Sequence, residues 1–181
     1  MHGIIFSQLR KFVRDSFGEE GWARIVAAAG TGRDTYLMTQ AYSDEELAAL
    51  AAAGSQVSGR PLPELLEQFG VFLVPDLLKV YGSFIQPEWK TLDVLEHTES
   101  SIHKAVRVRD PEATPPHLKV ARPTPNEVVI TYSSPRRLCP VGVGIIKGVA
   151  AHYGEAVTVR QTDCMLRGNK ECAILVERHS G

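Results

Sequence analysis

The apolar residues of this chain follow one spacing before a proline-dense stretch and another after it. Residues 110–127, DPEATPPHLKVARPTPNE, hold five of the 11 prolines. Proline lacks an amide hydrogen and disfavours helix in the residue before it, so such a stretch ends a helical region. Before it, apolar residues recur at helical spacing; after it, they alternate. The chain therefore reads as α+β: a helical subdomain over residues 1–108, then a subdomain over residues 109–181 that carries a small antiparallel sheet of four strands and one packed helix.

Within the helical part, Leu9, Phe12 and Val13 give the first helix a broad apolar girth. Gly18 stops it, and a short second helix through Trp22 and Ile25 closes at Gly30. Ser43 followed by Glu46 is a capping-box signature for an alanine-rich helix ending near Gly59. A further helix is predicted over residues 61–80, with a kink at Pro75, and another over residues 91–109. Strands are predicted over 117–121, 127–132, 156–165 and 171–177, with a helix over 135–153. The last two strands are joined by an RGNK turn that suits a hairpin.

Composition removes some function classes. With 20 basic and 21 acidic residues and a formal net charge of -1, the chain has no electrostatic case for nucleic acid or an anionic membrane. The N-terminus becomes charged within ten residues, unlike a signal peptide, and no apolar run approaches the roughly 18 residues of a membrane span. A cytoplasmic location is expected. Three cysteines, an odd number, fit a reducing compartment where thiols serve as metal ligands or redox groups.

The chemistry concentrates in residues 130–148, ITYSSPRRLCPVGVGIIKG. Tyr132, Ser134 and Arg136 stand at alternate positions, and an extended segment would turn them to one side, where a phenol, a hydroxyl and a guanidinium suit a carboxylate or phosphate. They could equally cap a strand end through backbone hydrogen bonds. Far upstream, His103 sits beside Ile102 on the inward face of its helix. A buried histidine is by base rate a hydrogen-bonded core residue, but neutral imidazole is also a common axial ligand of haem iron. Haem needs one axial base and donors for two propionates, so the two features together are stronger than either alone.

The fragments MHGIIF at the N-terminus, IHKAV around His103, ATPPHL at residues 113–118 and YSSPRR at 132–137 resemble, in matching order and spacing, the H-NOX family of haem nitric oxide/oxygen-binding domains, of the stand-alone bacterial nitric oxide sensor type. The resemblance covers essentially the whole chain. It implies one haem domain with haem b buried between the subdomains and His103 as the proximal iron ligand. Tyr132, Ser134 and Arg136 would hold the propionates, and Pro116 would press the macrocycle out of plane. It also sets the glycine-spaced helix bearing Gly142, Gly144 and Gly148 on the distal side, where missing side chains would let a backbone approach the macrocycle. Close helix packing explains the same glycines equally well.

The position of the distal tyrosine in oxygen-binding members is matched by Val141, and Ile5, Leu9, Leu73 and Phe72 are the other apolar candidates for that pocket. Dioxygen takes on superoxide-like charge at ferrous iron and gains from a hydrogen-bond donor, whereas nitric oxide does not need one. Losing such a donor costs about 1.5–3 kcal/mol, roughly ten- to hundredfold in affinity. The expectation is a sensor of nitric oxide, with carbon monoxide as a further ligand, that excludes oxygen. In relatives, ligand binding releases the proximal histidine, and the resemblance implies a separate partner, a histidine kinase or a diguanylate cyclase.

Cys139, Cys164 and Cys172 form a second candidate site. Some bacterial relatives hold zinc there with three cysteines and a histidine. Here the histidine position is matched by Gln161, a poor zinc ligand, which leaves Asp163 or a water as candidates. Zinc binding, a Cys164–Cys172 disulfide on oxidation, and plain buried thiols all stand as readings. The competing function is a zinc and thiol redox sensor in which haem is secondary or absent. A haem enzyme is not expected, because the distal candidates lack acid and base groups.

Overall fold

The computed structural model describes residues 3–110 and 113–179, so Met1 and His2 of the MHGIIF match lie outside the described residues. The chain divides into two compact units, residues 1–69 and 70–181.

The first unit holds α1 (Gly3–Ala29), α2 (Asp44–Ser58) and the start of α3 (Leu62–Tyr81). Gly18 interrupts α1 with φ 74° and ψ 177°, a conformation that glycine alone adopts at little cost; the predicted pair of helices is this kinked element. Ser43 caps α2 by accepting the Glu46 amide at 3.1 Å. The Glu46 carboxylate does not complete the capping box: it accepts the Tyr36 hydroxyl at 2.7 Å instead. Phe6, Leu9, Phe12, Trp22, Leu50 and Phe69 are buried, and Phe12 packs on Phe69 with ring centroids 5.6 Å apart.

The second unit begins within α3, which runs through Pro75. The helix predicted over residues 91–109 is three pieces: α4 (Thr91–His97), a π-helical turn (Thr98–His103) and α5 (Lys104–Arg109). π turns are rare and recur at functional sites. The sheet has order β1-β2-β4-β3, formed by β1 (His117–Thr124), β2 (Glu127–Ser133), β3 (Val157–Asp163) and β4 (Cys172–Arg178), all antiparallel. Its period-2 pattern buries Val128, Ile130 and Tyr132 of β2 with Cys172, Ile174 and Val176 of β4. This face shares one core with α6 (Cys139–His152) through Val143 and Ile146, and with α4 through Leu92 and Leu95.

Two ionic clusters tie α4 to its surroundings. Arg122 of β1 donates to Asp93 at 2.6 Å and to Glu96 at 3.0 Å. Glu155 accepts the Thr91 amide at the start of α4 at 2.9 Å and the Arg178 guanidinium at 3.1 Å.

The glycines of α6 resolve into separate roles. A Cβ on Gly148 would fall 2.6 Å from Val74 Cγ2. A Cβ on Gly70 would meet the Val141 carbonyl oxygen and, at 2.9 Å, the Gly144 Cα. Gly144 and Gly148 thus serve close packing of α3 on α6 within this unit. A Cβ on Gly142 would make only ordinary contact with the Tyr132 ring, at 3.8 Å.

Candidate functional site

His103 closes the π turn with its side chain 14% exposed. Its Nδ1 is 2.8 Å from Glu99 Oε2. Burial is the largest influence and lowers the imidazole pKa, so the neutral ring is favoured despite the Glu99 carboxylate. Glu99 itself also accepts Arg107 Nη2 at 2.5 Å through Oε1 and the Leu118 amide at 3.3 Å through Oε2. Burial would raise the Glu99 pKa, but hydrogen bonds from His103 and Arg107 outweigh it and hold the carboxyl below its ordinary range. Sequence reasoning passed over Glu99, although its i, i+4 spacing to His103 was visible.

Tyr132 and Ser134 are buried on one side of the β2 terminus, as alternation predicts. Burial pushes the Tyr132 hydroxyl up to about 12, with Ser134 and the Leu138 backbone acting weakly in the opposite direction. Arg136 departs from the extended-strand expectation. The strand ends at Ser133, and Ser134 Oγ and carbonyl accept the Arg136 and Arg137 amides at 3.3 and 3.1 Å. In the resulting turn Arg137 has φ 51°, a left-handed conformation unusual for a residue with a side chain. The turn sends the Arg136 guanidinium to Thr114, whose carbonyl and hydroxyl oxygens both accept at 2.5 Å. Thr114 stands two residues before Pro116, so the proline-dense segment and the motif are bonded together.

Among the apolar candidates, Leu9 and Leu73 are buried while Ile5, Phe72 and Val141 are half-buried. Ile5 and Leu9 belong to the first unit, Leu73 and Val141 to the second.

The three cysteines are buried and free. Their sulfur atoms lie within 4.8 Å of one another, with Cys139 and Cys164 3.8 Å apart. Two thiolates about 2.3 Å from one tetrahedral zinc would stand about 3.8 Å apart, so the spacing suits a shared ion. Burial pushes the Cys139 thiol up to about 12. Burial also raises Cys164, but hydrogen bonds from the Leu166 backbone, Cys139 and the Arg167 backbone outweigh it and lower its pKa. Gln161 lies near enough to Cys139 to favour its thiolate, yet its buried Nε2 has no well-formed hydrogen bond. A side-chain amide is a poorer zinc ligand than an imidazole, thiolate or carboxylate.

A half-buried imidazole whose neutral form is favoured, two buried hydroxyls and a guanidinium stand on one α+β unit. The donor set fits haem: one axial base, and propionate partners of the right chemistry. The sequence profile described as Haem-NO-binding matches residues 2–161, and the chain belongs to that family, the H-NOX domains, which bind haem and act as gas sensors. An H-NOX protein from S. oneidensis, solved in the Fe(II)NO ligation state, superposes with a TM-score of 0.91 at 25% identity over 99% of this chain and 100% of that one. The fold is shared as well with the Fe(II) unliganded H-NOX protein of K. algicida, at a TM-score of 0.92 and 21% identity over 100% of this chain and 98% of that one. The soluble guanylate cyclase gcy-31 of Caenorhabditis elegans is 22% identical over 138 residues, which are 76% of this chain and 20% of the cyclase. The chain thus spans about a fifth of that enzyme's length. No helix among the described residues is long and apolar enough to cross a membrane.

Proposed function

We propose that the chain works as one haem-carrying domain that senses nitric oxide at ferrous iron and reports to a separate partner, a histidine kinase or a diguanylate cyclase. The observation that carries this reading is the combination in one unit of half-buried, Glu99-bound His103 with the Tyr132, Ser134 and Arg136 donors. When bound, haem would supply a ferrous centre able to take a diatomic gas. His103 would hold the iron, Tyr132, Ser134 and Arg136 the propionates, and Pro116 would bear on the macrocycle.

Ligand choice follows from the hydrocarbon character of the distal candidates. Val141, Ile5, Leu9 and Leu73 are all hydrocarbon, so none can hydrogen-bond a gas that acquires negative charge. Nitric oxide, and carbon monoxide, lose little by this; oxygen loses roughly ten- to hundredfold in affinity. His103 supplies the output. Its helix is held at the α4 end by Glu155 and Arg122, so release of the imidazole would relax the π turn and α5 relative to a fixed end, biasing two arrangements of the domain.

Absorption spectra of the reduced protein under nitric oxide, carbon monoxide and air test the reading. A Soret band that shifts with the first two gases and not with air is expected; a stable oxy spectrum would refute it. His103→Gly, supplied with imidazole as a replacement axial base, should give the partner response of the nitric-oxide-loaded wild type. An unliganded-type response from that variant refutes release as the signal.

The sulfur spacing also favours a second reading, in which Cys139, Cys164 and Cys172 hold zinc or form a thiol sensor beside the haem. Metal analysis and free-thiol counting of the purified protein decide it. One zinc per chain with thiols protected supports the ion, whereas no metal and three titratable thiols rule it out.

A further inference from the structure

We infer that Glu99 is a positioning residue for the proximal ligand: its carboxylate fixes the His103 tautomer and strengthens the bond that gas binding must break. The inference rests on the haem reading above and concerns the strength of that bond. Glu99 Oε2 lies 2.8 Å from His103 Nδ1, within the range of charge-assisted hydrogen bonds. An ionised carboxylate only accepts, so Nδ1 must carry the proton and the lone pair stands on Nε2, the nitrogen left to ligate iron. A carboxylate behind a metal-bound imidazole increases the ring's basicity and restrains its orientation.

The carboxylate is itself held. Oε1 accepts Arg107 Nη2 at 2.5 Å, and Oε2 accepts the Leu118 amide at 3.3 Å. Glu99, His103 and Arg107 recur every four residues, so the whole relay lies along one side of the helix while the Leu118 amide ties it to β1. Arg107 has a second effect: by sharing the carboxylate charge it limits how much basicity reaches the imidazole. The pair therefore sets the bond at an intermediate strength, firm without ligand yet releasable by nitric oxide. After release His103 still has Glu99 as a partner, so the ring is retained by its own helix.

Resonance Raman spectroscopy and redox titration of the ferrous, haem-loaded protein test this. Glu99→Gln keeps an acceptor at nearly the same volume and removes the charge. Its iron–histidine stretching band should move to lower frequency, and its preference for ferrous over ferric iron should rise on the order of tenfold, about 59 mV in midpoint potential for one electron. Arg107→Met leaves Glu99 in place and frees its charge, so the band should move to higher frequency and the potential should fall. That variant keeps the inference testable should Glu99→Gln fold poorly. An unchanged Glu99→Gln band, or an Arg107→Met band that shifts the same way as that of Glu99→Gln, overturns it. A wild type without a Soret band would sink the haem reading and this inference together. A haem-loaded variant with an unchanged band sinks this inference alone.

Discussion

Gly148→Ala offers a quantitative test of how α6 is positioned. In an isolated helix the substitution would stabilise, because alanine exceeds glycine in helix propensity by about 1 kcal/mol. In this fold the new methyl would lie 2.6 Å from Val74 Cγ2, 3.1 Å from its Cβ and 3.2 Å from the Val71 carbonyl oxygen. A valine Cγ can rotate away, but its Cβ and a backbone oxygen move only with α3. Overpacking of this kind costs about 1–3 kcal/mol; with three neighbours crowded the upper part of that range applies. Set against the propensity gain, a net loss of about 1–2 kcal/mol is expected. Urea denaturation followed by circular dichroism should show a midpoint lowered by roughly 0.5–1 M, taking a slope of about 2 kcal/mol/M. Gly54→Ala is the control, since its methyl meets only Ile25 Cδ1, at an ordinary 3.8 Å; it should raise the midpoint. Val74→Ala combined with Gly148→Ala should cost less than the two singly added, as expected for residues in contact. A Gly148→Ala midpoint at or above wild type would refute close packing as the reason for this glycine.

Two further outcomes are expected. Val141→Tyr places a donor at the position matched by the distal tyrosine of oxygen-binding relatives, so oxygen affinity of the ferrous protein should rise roughly ten- to hundredfold. Spectra under graded oxygen read this directly, and no gain would mean that Val141 does not face the gas. The second outcome concerns acid. Burial would raise Asp93 and Glu155, but hydrogen bonds from Arg122 to the first and from Thr91 and Arg178 to the second outweigh it and lower both pKa values. A carboxyl depressed in the folded state contributes stability above its unfolded pKa and loses it as pH falls through the folded value. The urea midpoint should therefore decline below about pH 4.5, and less steeply in Glu155→Gln. A flat wild-type profile through that range would contradict these pairings.

The sequence alone determined the α+β class, the order of elements and the chemistry of the donor set. Periodicity is a local property: apolar spacing of 3.6 or 2 is written into consecutive residues, as are the Gly18 break and the Ser43 cap. Family resemblance in MHGIIF, IHKAV, ATPPHL and YSSPRR then pointed to haem, and the family match over residues 2–161 supports it. What the sequence left open depended on partners distant along the chain. Whether Gly144 and Gly148 admit a macrocycle or a neighbouring helix was undecidable until α3 was seen against them. Arg136 looked like a strand residue, but the turn from Ser134 through left-handed Arg137 delivers it to Thr114, 22 residues away. Three cysteines spread over residues 139–172 meet only because α6 starts where β3 ends and β4 begins. Glu99 is the clearest case: a glutamate four residues before a histidine is common on any helix surface. Only partial burial, the π turn and the convergence of Arg107 and the Leu118 amide turn that spacing into a relay behind His103.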